Sequence, residues 1–359
     1  MVNGRRTIGI LTGGGDCPGL NAVIRAVVRT ARSEHDLDVM GIQLGFEGLL
    51  TRACVPLTTE SIRGILPKGG TLLRTTNRGN PFAFPALQEG HPVVVDRSAE
   101  VIRNIHELGI DGIIAIGGDG TLRIAQRLCD AGIPIVAVPK TIDNDLAATD
   151  YTFGFHTAVS VATEAVDRLH TTAESHDRVM ILEVMGRNAG WIALYSGIAG
   201  GADIILIPEI PYDPKAIVDS IRSRQREGSK FDIIVVAEGA HRAGGEETYL
   251  DRATRRLGGI AYQVAADISQ HIDLEIRVTV LGHVQRGGSP IAFDRILATR
   301  FGKAAADLIA ANEFGRMVAL RGDEIVSVPI REAIANQKCV DPAGEMVRTA
   351  RSVGVSFGD

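Results

Sequence analysis

The sequence predicts an α/β protein built as two Rossmann-like, doubly wound domains with a ligand cleft between them. Three observations carry that expectation. The 359 residues exceed the roughly 100 to 200 residues of one ordinary domain. Short β-branched runs alternate with amphipathic stretches through both halves, and clusters of glycine follow several of the runs directly.

The runs come first in the argument. Residues 7–11 (TIGIL), 112–116 (GIIAI), 135–138 (IVAV), 179–184 (VMILEV), 204–207 (IILI) and 233–237 (IIVVA) are nearly continuous in apolar side chains. That pattern suits parallel strands covered by helices on both faces. Between them, residues 21–33 and 157–173 repeat apolar side chains at spacings of three and four, the signature of helices with one buried face. Strand, helix and strand in alternation give the doubly wound class. Trp191 and the methionines are read as core.

Composition narrows the function classes. The hydrophobic fraction of 45% is ample for two cores. No run reaches the roughly 18 apolar residues of a membrane span, and the apolar stretch after Arg5 and Arg6 is broken by glycines, unlike a signal peptide. The four cysteines, Cys17, Cys54, Cys129 and Cys339, are far apart and form no CxxC pair, so neither a zinc site nor a disulfide framework is expected and a reducing cytoplasm fits. With 38 basic and 43 acidic residues the net charge is −5, and no global field draws the chain to nucleic acid. Anionic ligands must therefore be held by local clusters.

The first such cluster is residues 13–19 (GGGDCPG), after the TIGIL strand and before the helix near Asn21. Glycine lets backbone N–H groups approach phosphate oxygens, and the following helix N-terminus favours negative charge. Alone, the cluster is equally a tight turn with no ligand. It is not a Walker A loop, since no Lys-Ser or Lys-Thr closes it, and its last glycine falls one residue late for GxGxxG, which disfavours a nicotinamide site. The second cluster, residues 117–121 (GGDGT), sets the Asp119 carboxylate among glycines at a strand end, where it can hold magnesium while the backbone cradles phosphates. The plainer alternative is an acidic residue capping the next helix.

Residues 139–145 (PKTIDND) follow a third strand and place the Thr141 hydroxyl and the Asp143 and Asp145 carboxylates within five residues. An ionised carboxylate can take a proton from an attacking hydroxyl, and a second can hold a metal or its water. A surface Asn-Asp turn is the alternative. GGDGT also occurs in NAD kinases and lipid kinases, which offer no account of PKTIDND.

In order and spacing, GGGDCPGLNAVIR (13–25), GGDGT, PKTIDND, SHDRVMILEVMGR (175–187) and VTVLGHVQRGGSP (278–290) resemble the phosphofructokinase family from about residue 7 to about residue 320. The resemblance implies an active site in the cleft between a phosphoryl-donor domain (1–154 plus about 285–335) and a sugar-phosphate domain (155–284 plus about 336–359). Gly14, Gly15, Gly118, Gly120, Thr121 and Lys140 would lie at the donor phosphates, with Asp119 on Mg2+. Thr141 would touch the transferred group, Asp143 would be the general base for the sugar 1-hydroxyl, and Asp145 would lie close to the metal. Arg78, in TTNRGNPF, matches the family's phosphoryl-stabilising arginine after a one-residue insertion. On the sugar side, Met185, Gly186 and Arg187 form the MGR turn and Glu238 accepts from sugar hydroxyls. His283 and Arg286 grip the 6-phosphate with Arg178 and Arg277, which in the family come from a neighbouring subunit of a homodimer or homotetramer. Singly, each of these arginines reads as a solvated surface residue and His283 as a packed turn histidine; together they suit phosphate oxygens.

The resemblance thus implies transfer of a phosphoryl group to fructose 6-phosphate in the cytoplasm, with no nucleic-acid or membrane partner. A non-catalytic sugar-phosphate-binding relative is the alternative of another class, disfavoured because Asp119, Asp143 and Arg187 are all present. On the donor the sequence is mixed: Gly120 matches ATP users and Lys140 pyrophosphate users. A carboxylate at 120 would occupy the place of the ATP α-phosphate, whereas the long lysine could swing aside, so ATP is expected and pyrophosphate is the alternative. Arg25 and Arg29, four apart on the first helix, fit an effector site or plain helix-surface charge; Thr58 and His170 stand where effector arginines are expected.

Overall fold

The structure, a computed structural model, describes residues 5–88, 91–251, 253 and 256–359. Its strands are β1 (Thr7–Thr12), β2 (Asp38–Ile42), β3 (Cys54–Leu57), β4 (Phe84–Gln88), β5 (His91–Val95), β6 (Gly112–Gly117), β7 (Ile135–Thr141), β8 (Phe153–Gly154), β9 (Arg178–Val184), β10 (Ile204–Leu206), β11 (Asp232–Ala237), β12 (Tyr249–Asp251), β13 (Arg256–Leu257), β14 (Glu275–Val280), β15 (Arg316–Arg321) and β16 (Glu324–Pro329). The helices are α1 (Leu20–Ser33), α2 (Glu47–Thr51), α3 (Ser98–Glu107), α4 (Asp119–Asp130), α5 (Phe155–His176), α6 (Trp191–Ala199), α7 (Pro214–Arg226), α8 (Ile260–Ser269), α9 (Ala292–Ala310), α10 (Ile330–Ala333) and α11 (Glu345–Ser352). The chain divides into two compact units, one of Met1–Thr141, Leu146–Gly154 and Arg286–Gln337, the other of Ile142–Asp145, Phe155–Gln285 and Lys338–Asp359.

In the first unit the sheet runs β16-β15-β7-β6-β1-β2-β3, with β8 on β7. Its centre is parallel and its outer pairs, β2 with β3 and β15 with β16, are antiparallel. The apolar runs explain the arrangement. Ile8, Ile10, Ile113, Ile114, Ile135 and Val136 are all at 0% exposure, and each such side chain contributes about 1.5–3 kcal/mol by leaving water. The register sets Thr12 opposite Ile116 and Gly117 opposite Pro139, so β1 and β6 end within one residue of each other while β7 runs on through Thr141. Helix α9 lies close on α1 because Gly302 leaves room: an added Cβ would be 2.7 Å from the Val23 carbonyl oxygen.

The second unit is organised on the parallel order β10-β11-β9-β14, with β14 at the edge. Val179, Ile181, Ile204, Leu206, Ile234 and Val236 pack with Tyr212, Ile217 and Val264 into its core. Residues at the end of the sequence join the same unit: Ser356 bridges to Ile204, the Gly358 carbonyl accepts from Asp213 N at 2.7 Å, and Phe357 is fully buried. The doubly wound α/β class expected from the apolar runs is what the chain adopts. The expectation for Trp191 needs correction. It is half-buried, and its indole Nε1 donates to the Lys338 carbonyl at 2.9 Å, because an indole carries a polar N–H that a wholly apolar core cannot satisfy. Met180, Met185 and Met317 are buried, while Met40 and Met346 are half-buried.

Candidate active site

In the first unit the neighbouring ends of β1, β6 and β7 bring three loops side by side. Thr121, buried in the first turn of α4, fills the space between two of them. A Cβ added at Gly13 would stand 2.7 Å from its Oγ1, and one at Gly117 would overlap its side chain. Gly14 adopts φ +76°, a left-handed conformation that glycine holds without strain. Its N–H donates to the Thr76 carbonyl at 3.3 Å and its carbonyl accepts from Thr75 Oγ1 at 2.6 Å. Arg78, exposed, follows in that same segment.

Lys140, at 3% exposure, turns its Nζ to the Gly15 carbonyl, on which it donates a hydrogen bond. The sequence reading gave this lysine freedom to swing aside; burial and the loop carbonyl instead hold it at the first glycine cluster. Arg286 Nη1 donates to the Asp16 carbonyl at 3.3 Å, so its guanidinium is tied to the donor-type loop, and the residue is counted in the first unit although His283 is counted in the second. A lysine and an arginine thus attend one glycine loop, with the α4 N-terminus next to it: a setting for several negative charges. Gly118 is the N-cap of α4, and Asp119 in its first turn accepts from Arg123 Nε at 2.8 Å with 46% of its side chain exposed. Gly120 is exposed, its φ is not left-handed, and an added Cβ would meet nothing within 4 Å. Cys17, beside this loop, is wholly buried, and burial pushes its thiol far above the usual range, which removes it as a nucleophile.

The Pro139 to Asp145 stretch is shared. Thr141, buried, closes β7 and its carbonyl accepts from Thr152 Oγ1 at 2.7 Å in the first unit, while Asp143 and Asp145 belong to the second. Asp143 is 4% exposed, and Asn144 beside it takes φ +52° at 1% exposure. A buried left-handed residue that is not glycine marks backbone the surroundings over-determine. Asp145 is half-buried and its carbonyl accepts from Lys338 N at 2.9 Å.

The MGR turn closes β9. Met185 is buried, Gly186 has φ +142° with the Ala189 carbonyl 2.6 Å from where a Cβ would be, and Arg187 takes φ +51° with its side chain exposed. Its backbone N donates to Glu238 Oε1 at 3.1 Å. Gly239 permits that approach, since a side chain there would overlap the Arg187 carbonyl. Met185, Gly186, Arg187 and Glu238 are therefore together. Arg178 and Arg277 meet elsewhere: both pair with Glu275, which lies opposite Arg178 in the β9–β14 register, and the hydrogen bond from Arg178, joined by both charges, holds its carboxyl below the usual range. His283 is exposed in the short 3-10 turn Gly282–Arg286. His170 Nε2 donates to the Gly200 carbonyl at 2.7 Å, and the ring meets Phe231 edge-on at 6.0 Å, a packing use.

Two supporting groups escaped the sequence reading. Asn21 donates from Nδ2 to the Lys68 and Gly69 carbonyls at 3.0 and 3.2 Å and accepts from Leu72 N at 2.8 Å, fastening the segment that runs on to Thr75 and Arg78. Glu183, at 2% exposure within β9, accepts from Gly259 N and Ala261 N at 3.0 Å, which fixes the start of α8 two residues before the MGR turn. A glutamate inside the run VMILEV was a legible signal, because a buried carboxylate needs donors. Asn21 gave none, being one polar residue at an ordinary helix start.

Residues 7–309 match the family described as phosphofructokinase. The chain is 53% identical, over 100% of its length and 99% of the relative's, to a Chloroflexus aurantiacus protein named ATP-dependent 6-phosphofructokinase. It is 52% identical, over 98% of its length and 99% of the relative's, to a Streptomyces coelicolor protein named pyrophosphate-fructose 6-phosphate 1-phosphotransferase. Among solved structures, phosphofructokinase from Saccharomyces cerevisiae superposes with a TM-score of 0.78 at 33% identity, covering 92% of this chain and 45% of that one.

Proposed function

The chain belongs to the phosphofructokinase family, and from that premise we propose that it moves the terminal phosphoryl group of ATP onto the 1-hydroxyl of fructose 6-phosphate, giving fructose 1,6-bisphosphate in glycolysis. The observation that carries this reading is the convergence of three strand-end loops on a buried lysine, beside a glycine, Gly120, that nothing in the chain requires to be glycine. The lysine, the arginine and the loop N–H groups suit donor phosphates, and the open volume at 120 admits the α-phosphate that pyrophosphate lacks.

The donor groups Gly14, Gly15, Gly118, Gly120, Thr121 and Lys140 belong to the first unit, and the sugar groups Met185, Gly186, Arg187, Glu238 and His283 to the second. Asp143 accepts the proton of the sugar 1-hydroxyl as its oxygen bonds to phosphorus and the bond to the leaving phosphate breaks. Thr141 donates to the moving group, and Arg78 and Arg187 offset its charge. Asp119, a half-exposed carboxylate among glycines, fits a magnesium ion that takes most of its ligands from phosphates and water; Arg123 holds the same carboxylate in the meantime. Such an ion, when bound, offsets charge on the donor oxygens. Arg178 and Arg277 serve the sugar phosphate of a neighbouring copy in a homo-oligomer, and the setting is cytoplasmic; among the described residues no helix is long and apolar enough to cross a membrane.

A second reading, pyrophosphate as donor, is favoured by the 52% identity to a relative named for that donor, while Lys140 on the Gly15 carbonyl would meet a phosphate of either donor. Steady-state assays with fructose 6-phosphate and either donor decide. ATP is expected to give the larger kcat/KM. Turnover with pyrophosphate alone would overturn the ATP reading, and no fructose 1,6-bisphosphate with either donor would favour the non-catalytic alternative.

A further inference from the structure

Residues 338–340 of the second unit lie past residue 309, where the family match stops. They nevertheless meet the base segment at Asp145 and the residues that follow the MGR turn. Lys338 uses both of its backbone groups: its N–H donates to the Asp145 carbonyl at 2.9 Å, and its carbonyl accepts from the Trp191 indole at 2.9 Å. Its ammonium also lies 5.4 Å from the centre of the Trp191 ring. Two residues on, Val340 N donates to Glu209 Oε1 at 2.8 Å. The same carboxylate accepts from Gly190 N, at 3.0 Å on Oε1 and 3.1 Å on Oε2. Gly190 directly follows the turn that Gly186 begins, in which the Gly186 carbonyl accepts from Ala189 N at 3.0 Å. Gly190 and Trp191, which follow the MGR turn, and the Asp145 carbonyl are therefore fastened to one short segment.

We propose that Trp191 and Glu209 are positioning residues for phosphoryl transfer: through residues 338–340 they hold the base segment and the MGR turn in one fixed relation. The inference rests on the functional reading above. Its physical basis is pre-organisation. Catalytic groups displaced by a fraction of an ångström lose rate, and side chains on loops keep their geometry only when supporting hydrogen bonds lock them. Both held stretches are loops with a left-handed residue, Asn144 in one and Arg187 in the other, and such backbone persists only where its surroundings fix it. Half-buried Glu209 acts as an acceptor for backbone N–H groups, and burial raises its carboxyl above the usual range.

Two variants test this. Trp191→Phe removes the indole N–H and keeps an aromatic ring. It is expected to raise the KM for fructose 6-phosphate roughly two- to tenfold, the range of one neutral hydrogen bond, with kcat lowered and the KM for ATP unchanged. Glu209→Ala is expected to do the same or more, whereas Glu209→Gln, which keeps an accepting oxygen for Gly190 and Val340, restores the sugar KM to within about twofold of the unmodified chain. A general loss of folded protein would lower kcat and leave both KM values alone, so that pattern, or sugar and ATP KM values that shift together, overturns the proposal. Trp191→Phe decides by itself if Glu209→Ala does not fold. Unaltered kinetics in both variants with normal turnover of the unmodified chain overturn the positioning role alone; absence of turnover by the unmodified chain overturns the functional reading and the inference with it.

Discussion

Replacing Gly120 by aspartate separates donor choice from fold more cleanly than any other change in this chain. The position is exposed, its φ lies outside the left-handed region, and an added Cβ would meet nothing within 4 Å, so the side chain enters open space. Gly120 is the second residue of α4. Losing a helical glycine there is worth about 0.5–1 kcal/mol, and an acidic residue in a first turn adds about 0.3–1 kcal/mol through the helix dipole. Gly120→Asp should therefore melt no lower than the unmodified chain. Function should respond in the opposite sense. A carboxylate about 4 Å from a phosphate charge is repelled by about 4 kcal/mol at an effective dielectric near 20 and by about 1 kcal/mol in bulk water. The exposed position falls between these limits, which gives a loss in kcat/KM for ATP of about 5- to 1000-fold. Thermal melting and steady-state kinetics with ATP and with pyrophosphate measure the two halves. A variant with unaltered Tm and ATP kcat/KM within about threefold of the unmodified chain would refute the idea that residue 120 faces a nucleotide.

The remaining predictions concern other parts of the chain. Asp143→Asn should lower kcat by roughly 10²- to 10⁴-fold with little change in sugar KM, as for a lost general base; near-normal kcat removes Asp143 from that role. Inactive Asp143→Asn chains mixed with inactive Arg277→Ala chains should regain activity where subunits exchange, and no recovery argues that Arg277 serves its own chain's sugar. Asp232, whose side chain is wholly buried and accepts from Arg224 Nε at 2.8 Å, has its carboxyl pushed up from 3.8 to about 6, first by burial. A raised carboxyl favours folding while protonated, so its contribution is full below the ordinary 3.8 and is lost as pH rises through about 6. The Tm difference between Asp232→Asn and the unmodified chain should hence grow in the variant's favour from about pH 4.5 to about pH 7.5, and a difference that stays flat contradicts the shift.

Much of the fold was legible because its strands are apolar on both faces. The runs at 112–116 and 233–237 fall inside β6 and β11 at every residue, since a parallel strand covered on both sides leaves no position for a polar alternation to disguise. The loops after β1, β6 and β7 were legible for a related reason: glycines directly after such runs mark strand ends. What the sequence hid depends on side chains meeting over long separations. Lys140 reaches the Gly15 carbonyl across 125 positions, and its burial is fixed by strand order, which no local pattern states. Arg286 and His283 go together through the motif HVQRGG; that the Arg286 guanidinium also meets the Asp16 carbonyl, across 270 positions, no local pattern states. Trp191 read as core from its type alone; its hydrogen bond to Lys338 belongs to a segment with no motif at all.

The glycines of GGDGT show where sequence and structure each run out. In the sequence Gly117, Gly118 and Gly120 are alike, three small residues around one acid. In the structure their causes differ. Gly117 is glycine because Thr121 occupies the volume a side chain would need. Gly118 is confined by the Lys140 carbonyl, 3.3 Å from where a Cβ would stand. Gly120 has no such neighbour and no left-handed backbone, so neither packing nor conformation requires glycine there. A helical glycine without a structural cause is destabilising by about 0.5–1 kcal/mol, and a cost carried without return inside the fold points outside it, to a group that must approach the backbone closely. On the proposed reading that group is the α-phosphate of ATP, which pyrophosphate lacks. On that reading residue 120 would separate the two donors, and Lys140, which would meet a phosphate of either, would not.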